Sequence, residues 1–176
     1  MEKELELQLQ NDFPFMKQNR VEKEHNTYRR WGCECGDGWN KLIHDLCQAI
    51  DDRYAVAGVP IDIVPQQLKE KFATLRFYYA FENDTSGGIV FDFLGDGRSI
   101  RLEPENKHDD DHEKKLHHDI AQIVHAFEEK SASVCEWCGE ESTAKIRMDM
   151  RRKHTLCDEC YHTYRKKRAE LQKNKH

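Results

Sequence analysis

Cys135-Glu-Trp-Cys138-Gly139 and Cys157-Asp-Glu-Cys160 are two cysteine pairs that decide how the C-terminal part of the chain folds, and 18 residues separate Cys138 from Cys157. Two thiolates that are two residues apart on a tight turn can face one ion, and four thiolates complete a closed tetrahedral shell around Zn²⁺. A closed shell leaves no position for a catalytic water. The spacing therefore predicts a structural Zn²⁺ site. The alternatives are four unliganded thiols, or disulfides, which are disfavoured in an intracellular chain.

The residues between and after the two pairs predict a hairpin followed by a helix. Ile146, Met148 and Met150 alternate with polar residues, which is typical of a strand, and we expect the turn near residues 151–152. Residues 157–173 favour a helix. The second cysteine pair would then lie in the first turn of this helix.

A cysteine knuckle, a hairpin and a helix in this order resemble a treble-clef zinc finger. The resemblance covers about 45 residues, 131–176, and this module holds only four large aliphatic side chains. Such a segment cannot build a core alone and depends on the free energy of metal binding to fold. Treble clefs bind DNA, RNA or proteins, or act as nucleases, so the resemblance implies a scaffold and not a function.

The apolar residues are concentrated in the middle of the 176-residue chain. Leu, Ile, Val and Phe account for 36 residues, about 20% of the chain, and 27 of them lie within residues 31–134. The average alone is typical of marginally ordered proteins, but the central density is enough for one core of about 100 residues. We therefore divide the chain into a polar, partly ordered arm (1–30), a body (31–130) and the zinc-binding module (131–176).

Helical and strand periodicities occur in turn along the body. Apolar residues from Trp39 to Tyr54 recur at helical spacing, with Asp37 as the expected N-cap. Alternation with period two predicts strands, most clearly over residues 75–81, and the acidic residues 109–111 are expected to precede a second helix. The expected fold class is α+β: a small antiparallel sheet of three or four strands with flanking helices, plus the C-terminal treble-clef-like zinc module.

Charge is divided unevenly along the chain. Residues 145–176 carry 11 Lys and Arg against 4 Asp and Glu (+7), whereas residues 1–144 carry 17 against 29 (−12). Phosphates are the natural counter-ions of a basic zinc module, so we expect nucleic acid as a partner; the alternative is that the basic tail pairs with the acidic body. The candidate nucleic-acid-binding residues are Arg147, Arg151, Arg152, Lys153, Arg165, Lys166, Lys167 and Arg168.

The acidic character of the body suggests a second class of function. Residues 82–129 carry 13 Asp and Glu against 5 Lys and Arg. Such a surface resembles the charge of DNA, so the chain is alternatively an acidic decoy that occupies the DNA-binding groove of a host defence or replication protein. The candidate partner-binding residues of this hypothesis are Asp109, Asp110 and Asp111.

The sequence offers little support for catalysis. His154 and His162 lie roughly where some treble-clef nucleases carry a catalytic and a metal-binding histidine, but no paired His or downstream Asn completes that set. The chain has no G-x-S-x-G elbow, no phosphate loop and no G-x-G-x-x-G after a strand. We therefore expect a protein without enzymatic activity, and a metal-dependent nuclease is the alternative.

Three further cysteines lie in the N-terminal third of the chain. Cys33 and Cys35 offer a second metal site together with Cys47 or His25, although one intervening residue is poor spacing for a tetrahedral chelate. Cys47 lies on the apolar stripe of its helix and is expected to be a small buried hydrophobe. The histidines between residues 108 and 125 show no metalloenzyme spacing and are expected in a solvated acidic loop and the helix that follows it.

Three stretches of the chain occur together: Asp37-Gly38-Trp39, the run QLKEKFATLRFYY from Gln67 to Tyr79, and the two cysteine motifs. In this combination the chain resembles a family of small uncharacterised phage and bacterial proteins over about residues 31–160. Members of that family tend to carry Gly where this chain has Ala73. The resemblance implies the architecture and a phage or prophage context, without an established activity.

The chain contains no run of about 18 apolar residues, and its first residues are rich in Glu, Lys and Gln, unlike a secretion signal. We therefore expect a cytoplasmic protein without membrane contact, located in the host cytoplasm if it is phage-encoded. The expected role is that of a zinc-binding accessory protein acting through macromolecular contacts. These contacts would be with a protein partner and, through the basic module, with nucleic acid.

Overall fold

The fold belongs to the α+β class, as expected from the sequence. The computed structural model describes residues 1–20, 26–82, 90–92, 99–101, 111–148 and 152–173. The helices in these ranges are α1 (Lys3–Asp12), α2 (Thr27–Trp31), α3 (Asn40–Ala57), α4 (Asp111–Lys130) and α5 (Asp158–Lys173). The strands are β1 (Cys33–Glu34), β2 (Ile63–Lys71), β3 (Thr74–Phe81), β4 (Val90–Asp92), β5 (Ser99–Arg101), β6 (Lys145–Arg147) and β7 (His154–Leu156). Within these ranges, no helix has both the length and the apolar character needed to cross a membrane.

The sheet of the body is mixed. Strands β2 and β3 form an antiparallel hairpin in which Ile63 pairs with Phe81 and Lys71 pairs with Thr74. Strand β1 joins the other edge of β2 in parallel, with Cys33 opposite Leu68. The prediction of an antiparallel sheet is therefore correct for the β2–β3 hairpin. It did not include β1, because a strand of two residues is too short to show a period of two. Strands β4 and β5 pair with each other in a separate two-stranded sheet.

The hairpin turn between β2 and β3 consists of two residues in left-handed conformation. Phe72 has φ +56° and Ala73 has φ +65°. In a two-residue hairpin loop, positive φ at both central residues gives the turn a twist that matches the twist of the flanking strands. Glycine adopts this conformation with the least strain. The local geometry therefore explains why Gly suits the position that Ala73 occupies here.

Helix α3 provides a large part of the core. Its buried side chains include Ile43, Leu46, Ile50 and Tyr54, which follow the predicted helical spacing. The expected N-cap is different: Asp37 opens a short 3₁₀ turn that precedes the helix, and its carboxylate accepts a hydrogen bond from the backbone N–H of residue 2 at 2.7 Å.

The described part of the predicted polar arm, residues 1–20 and 26–30, contributes several side chains to the core of the body. Helix α1 buries Leu9, and the following turn buries Phe13, Phe15 and Met16, each at most 3% exposed. The hydroxyl of Tyr28 donates to the backbone carbonyl of Met16 at 2.9 Å. Their contribution to the core was missed because these few apolar residues are dispersed among many charged ones, so that average composition hides them.

Helix α4 packs against strand β3 of the sheet. It buries Leu116, Ile120 and Val124, as the sequence predicts. Near its C-terminal end, the Glu128 carboxylate accepts a hydrogen bond from the backbone N–H of Phe77 at 2.8 Å. The helix therefore contributes apolar surface and also satisfies a backbone donor of strand β3.

Candidate metal centre

The C-terminal module has the knuckle, hairpin and helix expected from the sequence. The knuckle closes with a hydrogen bond of 2.8 Å from the Gly139 N–H to the Cys135 carbonyl, and Gly139 has φ +80°. Strands β6 and β7 pair antiparallel, with Arg147 opposite His154. Helix α5 begins directly after Cys157, so the second cysteine pair lies at its first turn.

The four predicted ligands come together in space. The sulfur atoms of Cys135, Cys138, Cys157 and Cys160 all lie within 4.8 Å of one another, and no disulfide joins them. In a tetrahedral zinc–thiolate site with Zn–S bonds of about 2.3 Å, neighbouring sulfurs are about 3.8 Å apart. The Cys138 and Cys157 sulfurs are 3.7 Å apart. The donor set therefore forms a metal site compatible with a zinc module.

Backbone amides prepare one of the thiols to be a ligand. Burial by itself would raise the pKa of Cys135, but hydrogen bonds from the backbone N–H groups of Cys157, Cys138 and Trp137 outweigh burial and lower that pKa. Burial instead raises the pKa of Cys138 and Cys160. A coordinated cation stabilises the thiolate form of each ligand, so a bound metal would supply the charge that these two thiols need in order to ionise at neutral pH.

The body packs directly on the cysteine knuckle through the motif Asp37-Gly38-Trp39. The Gly38 N–H donates to the Glu136 carbonyl at 2.9 Å, and the indole N–H of Trp39 donates to the Val134 carbonyl at 2.8 Å. A Cβ atom at Gly38 would overlap the carbonyl oxygen of Cys135. The sequence identified this motif only through a resemblance; the structure gives it a role, which is to allow backbone to approach backbone at the metal site.

The hairpin turn of the body contacts the module as well. The hydroxyl of Thr155, which is fully buried, donates to the Ala73 carbonyl at 2.6 Å, and the Glu136 N–H donates to the Thr155 carbonyl at 2.9 Å. The Arg152 guanidinium pairs with Glu70 at 3.1 Å. Hydrogen bonds and an ion pair therefore connect the body to the module that is predicted to begin at residue 131.

Arg147, one of the eight candidate nucleic-acid-binding residues, has an internal role. Its side chain is 7% exposed, donates to the Leu156 carbonyl at 3.0 Å and pairs with Asp158 at 2.7 Å. The guanidinium also lies over the ring of Tyr161, 4.5 Å from its centroid. These contacts join β6 to α5, which removes Arg147 from the surface available to a ligand.

The remaining basic candidates divide into two groups. Arg152 and Lys153 are exposed just before β7, and Arg152 forms an ion pair with Glu70. Arg151 lies outside the described residues. The second group is exposed on α5 and consists of Arg165, Lys166, Lys167 and Arg168.

The structure describes three of the five residues on which the alternative hypotheses depend. Asp109 and Asp110 lie outside the described residues, and Asp111 is exposed at the first position of α4. His154 is half-buried, and its Nδ1 atom lies 2.7 Å from the Glu136 carboxylate, a hydrogen bond that raises the pKa of the histidine. His162 is exposed on α5.

The cysteines outside the module behave as core residues. Cys33 and Cys47 are 2% and 1% exposed, and Cys35 is packed against the same apolar cluster. Burial raises the pKa of all three thiols. Among the described residues, the cysteine module is the group with metal-binding geometry, and His25 lies outside them. The expectation of a buried, hydrophobic Cys47 is confirmed.

Sequence reasoning missed an aromatic contact on the outer side of the knuckle. Trp137, between the first two ligands, lies against Tyr164 of α5 and His154 of β7, with ring centroids 6.3 and 6.4 Å apart. The only signal in the sequence was the tryptophan itself, since the contact joins three separate elements.

Comparison of the chain with models of known protein families, with curated proteins and with solved structures found no match.

Proposed function

We propose that this chain is a non-enzymatic zinc-binding protein whose C-terminal module contacts nucleic acid, while the body contacts a protein partner. Zn²⁺ would be held by Cys135, Cys138, Cys157 and Cys160 and would act structurally, because four thiolates fill a tetrahedral shell. The resemblance carried by the three sequence stretches supports a phage or prophage accessory role.

The observation that carries the nucleic-acid part is the charge of helix α5. Residues 160–169 contain four basic side chains and no acidic one. All four are exposed, whereas Arg147 of β6 is buried, pairs with Asp158 and lies over the Tyr161 ring. An exposed run of cations on a rigid helix next to a metal-stabilised knuckle is suited to pair with a phosphate backbone.

The same geometry supports the absence of catalysis. The four cysteines occupy the positions that an open catalytic metal site would leave to water. His154, the candidate catalytic histidine of the nuclease alternative, lies on β7, and its Nδ1 atom is 2.7 Å from the Glu136 carboxylate of the knuckle. We therefore expect no nuclease activity in the unmodified protein or in His154→Ala. A metal-dependent cleavage of DNA that is lost in His154→Ala would contradict the proposal.

A salt titration of zinc-loaded protein with a labelled oligonucleotide tests the nucleic-acid contact. We expect the logarithm of affinity to fall linearly with the logarithm of salt concentration, since each phosphate contact releases a counter-ion. The double charge reversal Arg165→Glu with Arg168→Glu should weaken binding at least tenfold and flatten the slope.

A matched control reverses two exposed charges elsewhere, Arg30→Glu on α2 with Lys114→Glu on α4, and changes the net charge by the same amount. This control should bind within about twofold of the unmodified protein, because α2 and α4 are outside the proposed contact. An affinity that does not vary between low and physiological salt, or equal losses in both double variants, would remove the nucleic-acid contact from the proposal.

A further inference from the structure

We infer that the nucleic acid bound by the module is single-stranded, and that its bases stack on an aromatic row formed by Trp137, Tyr164 and His154. This inference rests on the proposed function and specifies its ligand. The row joins the exposed indole of the knuckle to the basic helix α5 and to strand β7, which the exposed Lys153 precedes.

Trp137 is exposed although it lies in the most tightly constrained part of the module. Its side chain is 40% exposed, in contrast to Trp39, which is fully buried and hydrogen-bonded. The metal site requires the flanking cysteines and a tight turn but no indole between them. An exposed tryptophan that contributes little to a core is typical of a contact surface.

The contacts of Trp137 hold the indole in place without covering it. Its ring makes a T-shaped contact with Tyr164 at an interplanar angle of 65° and a tilted contact with His154 at 55°. Steeply inclined rings touch through the edge of one ring, so such contacts leave ring surface open for a third planar group. The fixed position limits the entropy that would be lost when a base stacks on it.

Exposed basic residues follow and precede the members of the aromatic row along the chain. On α5, Arg165 is next to Tyr164 and its guanidinium lies 5.8 Å from the Tyr161 ring, and Arg168 follows Tyr164 by one helical turn. On the hairpin, the exposed Lys153 directly precedes His154. The acidic residue within the row, Glu136, is buried and paired with His154, so its charge is compensated inside the module.

An aromatic surface bordered by cations fits single-stranded nucleic acid better than a duplex. Single strands present base faces for stacking on aromatic side chains and phosphates for pairing with Lys and Arg. In a duplex the base faces are stacked on each other, so an exposed tryptophan gains nothing from them. An acidic peptide or an anionic membrane would also pair with the cations, so both serve as competing ligands in the experiment.

Fluorescence anisotropy with zinc-loaded, full-length protein distinguishes these ligands. The probes are a fluorescein-labelled oligothymidylate of about 12 nucleotides, which suits the usual site sizes, and a duplex of mixed sequence and equal length. We expect Trp137→Ala to weaken binding of the single strand by roughly 5- to 150-fold, the range given by the loss of one stacked base, while duplex binding stays within twofold. Trp137→Phe should keep most of the affinity.

Trp31→Ala is the matched control, since Trp31 is 63% exposed but belongs to α2. Trp31→Ala should leave the affinities for single strand and duplex unchanged. Zinc content and near-UV circular dichroism should show that the Trp137→Ala variant is folded. In a Trp31→Phe background, the single strand should quench tryptophan emission, because the buried Trp39 is inaccessible.

The possible failures separate the inference from the proposed function. If single strand and duplex bind equally and Trp137→Ala affects neither, the inference is wrong and the electrostatic contact of α5 stands. If polyglutamate or phosphatidylglycerol vesicles bind as tightly as the single strand, the surface recognises charge alone and the inference is again wrong. If neither oligonucleotide binds at low salt, both the proposed function and the inference fail.

Discussion

At the residue scale, Gly38 determines how closely the body approaches the metal site. A methyl group at this position would overlap the Cys135 carbonyl and lie 2.5 Å from the backbone nitrogens of Cys138 and Gly139. These atoms are backbone atoms of the tight cysteine knuckle, so they cannot move aside cheaply. Gly38→Ala should therefore lower the free energy of unfolding by about 1–3 kcal/mol and weaken zinc affinity.

Gly58→Ala provides the control for this substitution. Gly58 has φ +68°, but no atom lies within 4 Å of the place that a methyl group would take there, so its replacement costs backbone strain without a steric overlap. Urea denaturation and competition with a zinc indicator measure the two effects. We expect loss of stability in both variants and loss of zinc affinity in Gly38→Ala alone; equal zinc affinities would contradict the role assigned to Gly38.

Asp62 is the residue for which the structure predicts a pH dependence. Burial would raise the pKa of its carboxyl group, but hydrogen bonds with His117 and Tyr54 outweigh burial and lower the pKa below the ordinary 3.8. The Tyr54 hydroxyl donates to the carboxylate at 2.6 Å. A lowered pKa in the folded state means that the ionised carboxylate stabilises the fold above the ordinary pKa and that this stabilisation is lost as pH falls through the folded value.

Asp62→Asn isolates this contribution from the protonation of the zinc ligands, which both proteins share. The difference in unfolding free energy between unmodified protein and variant should shrink as pH falls below about 4, where the Asp62 carboxylate becomes protonated. Urea denaturation across this range provides the measurement. A difference that stays the same at every pH would show that the carboxylate has no special environment.

At the scale of elements, α4 protects the edge of β3. Glu128 is 6% exposed, and its carboxylate is the acceptor for the Phe77 N–H. Glu128→Ala would remove the acceptor of this hydrogen bond, and the loss of a buried hydrogen bond to a charged group costs about 1.5–3 kcal/mol. We expect a loss of that size in urea denaturation.

The neighbouring Glu129 is the control for Glu128, because its side chain is 72% exposed on the same helix. Glu129→Ala should change stability by no more than about 0.5 kcal/mol, as surface substitutions usually do. Similar losses in both variants would mean that helix propensity or net charge, and not the hydrogen bond to β3, accounts for the effect.

At the scale of the whole molecule, body and zinc module should unfold together. The two parts share hydrogen bonds from Gly38, Trp39 and Thr155. Structural zinc sites supply folding free energy of roughly 10 kcal/mol in isolated fingers. Chelation of zinc or Cys135→Ser should therefore lower the melting temperature of the whole chain by roughly 10 °C or more, as a single transition.

Circular dichroism at 222 nm follows this transition, because α3 and α4 of the body contribute much of the helical signal. Cys35→Ser is the control, since Cys35 is a partly buried thiol outside the metal group. It should retain one zinc per chain by elemental analysis and most of the thermal stability. Two separate transitions, with the body unaffected by chelation, would contradict the common unfolding.

Local patterns predicted the elements that depend on neighbouring residues. Helical spacing located α3 and α4, and alternation located strand β3, because each buried face repeats within a few residues. Strand β1 and the packing of α1 escaped prediction. The first is too short for a period, and the core contribution of the second rests on single residues such as Leu9.

The candidate metal site shows most clearly which features the sequence predicts and which only the tertiary structure decides. The sequence by itself identified the four cysteines of the candidate metal site, because two C-x2-C pairs are the usual spacing for one tetrahedral ion. Only the tertiary structure decided that Arg147 is internal, that Gly38 packs on the knuckle and that Trp137 meets Tyr164. The contact between Gly38 and the knuckle joins residues about 100 positions apart, and no local periodicity records such a contact, since its partners are selected by the packing of whole elements.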